Sequence, residues 1–526
     1  MPADKQPSTL RRWISLGINA ILFGIALAVL RHILTAYHFA DIVGALRKIG
    51  MIHIAASLAL TTAGYGALVG YDYLSLRMAG HPIAVRTMLT ASFVSQAVQN
   101  SAPVSIVAGG GIRYRLYNRL GVTGAETAAV VAGNVLTFVI GLFAVAGVAF
   151  VIAPVSIPHS FHVPAKSLRP IGVIFLLLTI TALVLAQRGV GSVRVGPVKL
   201  ELPSGKTLRE ELGVSVADWL FSAGALYVLM IAGGPVSFPR FMSGFLLTQI
   251  VTQVMPLPGG IGVFEAAMLV LKPRNVPAPM ATAALLAYRV IYYLIPLFVA
   301  TAVLALEASR TPKSETTPPL RVAREITPHL FAVLTFITGF ILLVSNTLPS
   351  QSEGFAWLGN LVRLAVIEGS HFIGSLVGMG LLLLAFGLER RLRGAYRLTV
   401  TLIVLGILAA LLQAVEVTTA VLLAVLLLLL LTGRREFDRQ IPFSEEPLNA
   451  GWLVAVAAAV AGLGWLGTSL RVRGDYSKDL WWRFALNDSA PRALRVTISV
   501  LMAVAVFYGA RLVSAARRVR RRRRSE

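Results

Sequence analysis

The chain has 526 residues, 56% of them hydrophobic and 14% charged, and its repeated apolar runs of 18 or more residues make it a polytopic membrane protein. The runs lack period-2 alternation, which argues against a β-barrel, and the absence of cysteine excludes disulfides, thiolate metal sites and cysteine nucleophiles. The net charge of +24 is read first as topology, because cytoplasmic loops of membrane proteins collect Lys and Arg.

In chain order, Lys5, Arg11 and Arg12 precede an apolar run from Trp13 to Leu30 with no small-residue cleavage site after it, which predicts a retained first helix and a cytoplasmic N-terminus. A helix near 50–70 returns the chain to the cytoplasm at Arg77 and Arg86. The next stretch, VSQAVQNSAPVSIVAGGGIRYRL (94–116), carries two glutamines, an asparagine, a proline and three consecutive glycines, a composition unsuited to a lipid-facing helix. Arg113, Arg115 and Arg119 follow directly. A single crossing by 83–110 would place them outside, so this segment is predicted to enter from the cytoplasm and return as a broken, re-entrant helix.

Helices near 124–152 and 170–186 leave Arg188, Arg194, Lys199, Lys206 and Arg209 in a cytoplasmic loop, where VRVGPVKLEL (193–202) alternates across Gly-Pro as a short, stiffening hairpin. A helix near 215–233 leads outward, residues 237–271 enter and return around PLPGG, and a helix near 278–306 brings Arg310, Lys313, Arg321 and Arg324 inside. Six further spans begin near 329, 364, 398, 415, 450 and 493, keeping Arg390–Arg397, Arg434–Arg439 and the Arg517–Arg524 run cytoplasmic. The exterior loop 469–492 fits least well, with basic residues among Asp475, Asp479 and Asp488; its LWWRFAL reads as an interfacial amphipathic piece. The expected fold is therefore all-α, with about fourteen transmembrane helices. It comprises a core over 1–306, a cytoplasmic linker over 307–327, a second transmembrane subdomain over 328–513 and a basic tail over 514–526 that suits anionic headgroups.

An internal repeat runs through the core. SQAVQNSAP (95–103) lies against TQIVTQVMP (248–256), placing Gln96 over Gln249 and Pro103 over Pro256; TAAVVAGNVLTFVI (127–140) lies against TAALLAYRVIYYLI (282–295); and DYL at Asp72 resembles DWL at Asp218. By the charge topology the two copies, about 50–152 and 215–306, are inverted. In transporters with inverted repeats, discontinuous helices meet near the midplane and contact substrate there. The plainer reading makes Pro103 and Pro256 kinks and the amides interhelical glue.

Asp72, Arg113, Asp218, Glu265 and Arg289 lie at or near the edges of apolar runs, where ionisable residues are expensive and usually functional. Together with Gln96 and Gln249 they form the candidate substrate-binding set, with Glu265 and Arg289 expected to pair. Arginine matches phosphate and carboxylate matches ammonium, so the mixture suits a zwitterionic or cationic ligand that also carries phosphate. No catalytic residue, metal site or cofactor is expected. GGGIRYR and GGIGVF lack a P-loop lysine, and His53 and His371 read as lone packed or interfacial histidines.

Three stretches, QNSAPVSIVAGGGIRYRLY, MPLPGGIGVFEAAML and YSKDLWWRFALNDSAPRALR, resemble the multiple peptide resistance factor family of bacterial inner membranes, across nearly the whole chain. The resemblance implies a flippase that moves lysyl- or alanyl-phosphatidylglycerol to the outer leaflet, lowering the attraction of cationic antimicrobial peptides. It assigns flipping to positions matching Asp72, Arg113, Glu265 and Arg289, and less firmly Asp218. It also implies a cytoplasmic synthase domain fed by aminoacyl-tRNA. This chain stops at RRVRRRRRSE, so the synthase part is expected to be missing or truncated. The partners implied are aminoacylated phosphatidylglycerol and other anionic phospholipids, with a synthase domain or aminoacyl-tRNA near the basic tail; a homo-oligomer is compatible with the sequence. Both termini are expected in the cytoplasm. The rival readings are a scaffold that anchors a phosphatidylglycerol aminoacyltransferase without transporting anything, and an ion-coupled carrier for a small metabolite.

Overall fold

A computed structural model describes residues 39–78, 85–101, 113–114, 117, 122–155, 167–189, 192–195, 198–201, 204–254, 262–310, 318–347, 360–412, 417–440 and 456. The expected first helix, Pro103 and Pro256 at the two segment tips, the spans near 450 and 493, the 469–492 loop and the Arg517–Arg524 run lie outside the described residues. Six described helices are long and apolar enough to cross a membrane, which makes this a multi-pass, mainly α-helical membrane protein. The chain divides into two compact units, residues 1–300 and 301–526.

The first unit contains α1 (Phe39–Lys48), α2 (Met51–Met78), α3 (Val85–Ser101), α4 (Gly124–Ile152) and α5 (Arg169–Gln187), then α6 (Gly205–Met230), α7 (Phe238–Val254), α8 (Val263–Val270) and α9 (Ala278–Tyr288). A π-helical segment, Arg289–Leu294, leads into α10 (Ile295–Arg310). Between α5 and α6, strands β1 (Ser192–Val195) and β2 (Val198–Glu201) pair antiparallel, Ser192 opposite Glu201, as the alternation around Gly-Pro predicts. The helix starts follow local chemistry. Thr123 and Glu126 cap α4 reciprocally, with Thr123 N donating to Glu126 Oε2 at 2.7 Å. Ser204 caps α6 through Thr207 N.

That cap corrects one boundary. The span expected near 215 begins at Gly205, so Lys206 and Arg209, assigned to a loop, sit on the first turns of α6, where straight-chain cations are good helix formers. The linker expected over 307–327 is shortened in the same way, with α10 running to Arg310 and the next helix starting at Pro318.

α2 and α6 pack more extensively than any other pair in this unit, and they run antiparallel. Ser57 Oγ donates to Ala225 O at 2.9 Å, Gly64 faces Phe221 and Gly70 faces Val214. α4 runs parallel to α6, with Thr137 against Glu211 and Gly141 against Ser215. α3 folds back along α2, placing Ser92 beside Asp72 and Phe93 beside Tyr65. The chain then returns antiparallel to α3, because Arg113 meets Gln99 and Tyr117 meets Ser92. It begins α4 at the end of the bundle where α2 stopped.

The second half also contains a folded-back segment. α7 and α8 run antiparallel, with Gly244 facing Leu271 and Thr248 facing Met268. Gly233 and Gly234, after α6, lie against Val276, Met280 and Asn275 around the start of α9. The α7–α8 segment therefore leaves and rejoins the bundle at one end. Since α2 and α6 are antiparallel, the two folded-back segments hang from opposite ends. Exposed Val173, Ile174, Leu177, Leu178 and Ile180 give α5 an outer apolar face suited to lipid.

The second unit contains α11 (Pro318–Thr347), α12 (Asn360–Glu389), α13 (Arg393–Leu412) and α14 (Val417–Thr432). α11 and α12 touch through glycine, a small-residue contact typical of membrane helices: a Cβ on Gly339 would come 2.7 Å from Gly378 O. A cavity of about 360 Å³ opens where α13 begins and α14 ends, lined by Arg393, Tyr396, Arg397, Arg434, Arg435, Phe437 and Asp438.

The tightest helix approach in the first unit is testable. A Cβ added to Gly141 would sit 1.7 Å from Ser215 Oγ and 2.4 Å from Ser215 Cβ, so no hydroxyl rotation relieves it. Gly141→Ala is expected to cost about 1–3 kcal/mol, as overpacking does. Ser215→Gly in the same chain should recover part of that, both read as the thermal midpoint in detergent.

Candidate functional site

The sequence-selected charges form two ion pairs, each within one half of the unit. Asp72 near the end of α2 is fully buried, and Arg113 on the returning chain is 3% exposed. Arg113 Nε donates to Asp72 Oδ2 at 3.0 Å and to Oδ1 at 3.2 Å. Ser92 Oγ and Tyr117 OH donate to Oδ2 at 2.6 and 3.0 Å, and Asn134 Nδ2 donates to Oδ1 at 2.6 Å. An ionised carboxylate offers about four lone-pair sites, so Asp72 is saturated. Its donors are themselves oriented: Gln99 accepts from Arg113 Nη1 at 3.0 Å, and Ser75 donates to Asn134 Oδ1 at 2.8 Å.

Glu265, one turn into α8, accepts from Arg289 Nε at 2.5 Å. Its other oxygen accepts from Gly262 N at 2.8 Å, closing the start of α8. Gly262 has φ 84°, which an L-residue with a side chain would reach only with strain. The Arg289 guanidinium lies 5.3 Å from the Phe264 ring centroid and 4.7 Å from that of Tyr293, a cation–π clamp. Glu265 and Arg289 keep 16% and 17% of their side-chain surface exposed, so this pair is the more open of the two.

Asp218 is the departure from the expected set. It lies on α6, 4% exposed, and among the described residues no hydrogen bond or ion pair reaches its carboxylate. Gln96 is buried and Gln249 half-buried, and no described hydrogen bond joins either to the charged residues; the amides that do contribute are Gln99 and Asn134. Each pair is closed within its own half, Asp72 with Arg113 and Glu265 with Arg289.

Residues that sequence reading passed over complete the site. Ser92 lies just before the amide-rich stretch, Gln99 inside it and Tyr117 just after it, and of the three only Tyr117 stands at helical spacing from Arg113. Glu211, 2% exposed and accepting from Thr137 Oγ1 at 2.6 Å, was hidden because its α6 turn reads as a polar loop. Among the described residues no group of three or more His, Cys, Asp or Glu is placed to hold a metal ion.

These features can be set beside known proteins. The model of the lysylphosphatidylglycerol synthase TM region matches residues 14–300. An uncharacterized protein of Synechocystis sp. (strain PCC 6803) is 33% identical over 53% of this chain and 87% of its own length. The inner membrane protein YbhN of Escherichia coli (strain K12) is 28% identical over 48% of this chain and 80% of its own. The phosphatidylglycerol lysyltransferase of Staphylococcus aureus (strain COL) is 29% identical over 25% of this chain and 18% of its own. Residues beyond 300, including the third stretch that carried the resemblance, lie outside the matched range. With more than half of its residues, and both ion pairs, inside that range, the chain belongs to the lysylphosphatidylglycerol synthase transmembrane-region family.

Proposed function

We propose that residues 1–306 translocate aminoacylated phosphatidylglycerol from the inner to the outer leaflet of a bacterial cytoplasmic membrane. The observation that carries the reading is the pair of folded-back segments hung from opposite ends of one bundle, each holding ionised residues at its core. The matched sequence copies and the antiparallel α2–α6 contact support an inverted repeat, the architecture in which discontinuous helices build a midplane substrate site. Lysyl- or alanyl-phosphatidylglycerol carries a phosphate and at least one ammonium, and those charges must shed water to cross. Fixed opposite charges replace that water. On the outer surface such a lipid lowers negative charge, which accounts for resistance to cationic peptides.

The two pairs divide the work. Asp72–Arg113, saturated and closed, holds the first segment against α2. Glu265–Arg289, more open and beside Tyr293, is the pair that a headgroup can exchange with: Arg289 turns to phosphate, Glu265 to ammonium, and the acyl chains stay in lipid. The scaffold alternative, in which these helices anchor a phosphatidylglycerol aminoacyltransferase, draws on the similarity to a protein named as a lysyltransferase. It gives Glu265 and Arg289 only a packing task at the start of α8.

Arg113→Ala, which strands a buried carboxylate, should cost about 3–5 kcal/mol in stability. Glu265→Gln and Arg289→Ala should keep the folded yield near that of the unmodified chain. They should lower outer-leaflet aminoacylated lipid about tenfold, equivalent to roughly 1.4 kcal/mol. The assay supplies lipid from a separate synthase; well-folded variants that flip at the unmodified rate would favour the scaffold.

Orientation is tested separately. In this cysteine-free chain, single cysteines replacing exposed Arg188 and Arg274 should fall on opposite faces. An impermeant maleimide added to intact cells should label only Arg274→Cys; labelling of Arg188→Cys from outside would overturn the assigned topology.

A further inference from the structure

The sequence match sets Asp72 of α2 over Asp218 of α6, and only one of the two carboxylates has partners. Asp72 has Arg113, Ser92, Tyr117 and Asn134; Asp218, also buried, has no partner among the described residues. The arginine that could have served it, Arg289, is drawn to Glu265 instead. Buried tyrosines are gathered in this part of the bundle: Tyr65 and Tyr71 on α2, which packs along α6, Tyr288 at the end of α9 and Tyr292 in the π-helical segment. Ser222, one turn further along α6, exchanges a hydrogen bond with Tyr288 at 3.1 Å. A lone buried carboxylate among phenols is poorly stabilised as an anion and well placed to hold a proton.

A route to water lies on the same face of α6. Glu211, Ser215, Asp218 and Ser222 follow spacings of four, three and four residues and are all buried. Glu211 is about 10 Å from Asp218 along the helix at 1.5 Å per residue. It stands one turn inside the exposed Lys206, Arg209 and Glu210 at the start of α6. Tyr71 of α2 and Ser215 of α6 are both buried, and neither hydroxyl closes a hydrogen bond of standard geometry. On the far side, Tyr65 OH donates to Tyr292 O at 3.2 Å and accepts from Asn100 Nδ2 at 3.2 Å. Asn100 adjoins Gln99, which holds Arg113.

We propose that Asp218 is a proton-binding site, fed through Glu211 and the Ser215 and Tyr71 hydroxyls, whose loading and unloading drive the lipid movement proposed above. One proton enters from water at the start of α6, forms the O–H bond of the Asp218 carboxyl, and is returned to water on the opposite face through Tyr65 and the tip of α3. Only O–H bonds are made and broken, and the energy comes from the proton gradient. The inference rests on the translocation reading for its coupling and not for its proton site.

The test uses the whole chain in liposomes, with two independent readouts. Infrared difference spectra between acid and alkaline pH should show a buried protonated-carboxyl band that disappears in Asp218→Asn and persists in Glu265→Gln. Glu211→Gln should keep the band but slow its appearance after a pH jump at least about tenfold, as loss of a proton relay does. Transport of fluorescent phosphatidylglycerol, followed with an internal pH dye, should accelerate several-fold under an imposed pH gradient and lose that response in Asp218→Asn. A band that survives Asp218→Asn overturns the proton site. Lipid transport indifferent to the gradient overturns the coupling. An Asp218 band without any lipid transport leaves the proton site standing and defeats the translocation reading. If Asp218→Asn does not fold, Glu211→Gln carries the test: an unslowed band overturns the route.

Discussion

A carboxylate removed from water must be matched by donors or give up its charge, and much of the first unit is arranged around that constraint. Asp72 is matched by an arginine, a serine, a tyrosine and an asparagine from three separate stretches. Those contacts fix where α3 lies along α2, where the chain comes back, and the register of α4. A hydrophobic seam of Leu and Ala could have packed in several registers. One saturated carboxylate permits a single one, because any slip leaves a buried charge short of donors.

The second half meets the same constraint with a different distribution. Its arginine opens the π-helical segment after α9 and its glutamate sits on the returning α8, and the two pair with each other. The glutamate does double duty by closing the turn at Gly262. What is left is Asp218, which among the described residues has none of the donors that surround Asp72. The two halves thus treat their buried carboxylates differently: one carboxylate sits in a saturated network, the other has no partner among the described residues.

The sequence already disclosed most of the helix plan. The apolar runs at 124–152 and 170–186 agree with α4 and α5 to within a residue, because strong signals mark the start of each, Thr123 with Glu126 and Pro170, and Arg188 marks the end of α5. Boundaries were misjudged where polar residues were taken for loops. Lys206, Arg209 and Glu211 look like a loop in a hydropathy profile, yet propensity and the Ser204 cap make them helix. Charged residues of the site were visible one by one, since ionisable groups in apolar runs stand out. Their pairing was visible only for Glu265 and Arg289. Ser92, Gln99 and Tyr117 were not, because hydroxyls and amides are common on membrane helices and acquire meaning only when a fold-back sets them around a carboxylate. The isolation of Asp218 could not be read either, as it depends on which way Arg289 turns.

The bonds that cross from one half to the other have a common chemistry. Ser57 donates to Ala225 O, Tyr65 to Tyr292 O, Thr137 to Glu211 and Ser243 to Ala149 O, each through a hydroxyl. The two ion pairs stay within their own halves. A hydroxyl swings about one bond and finds a new acceptor at small cost, whereas a buried ion pair cannot be parted so cheaply. Glycine at 64, 70 and 224 leaves the facing surfaces of α2 and α6 shallow. The seam is therefore held by bonds that are easily remade and by shallow glycine contacts, while the ion pairs are kept out of it, in a solvent that offers no water to cover an exposed ion.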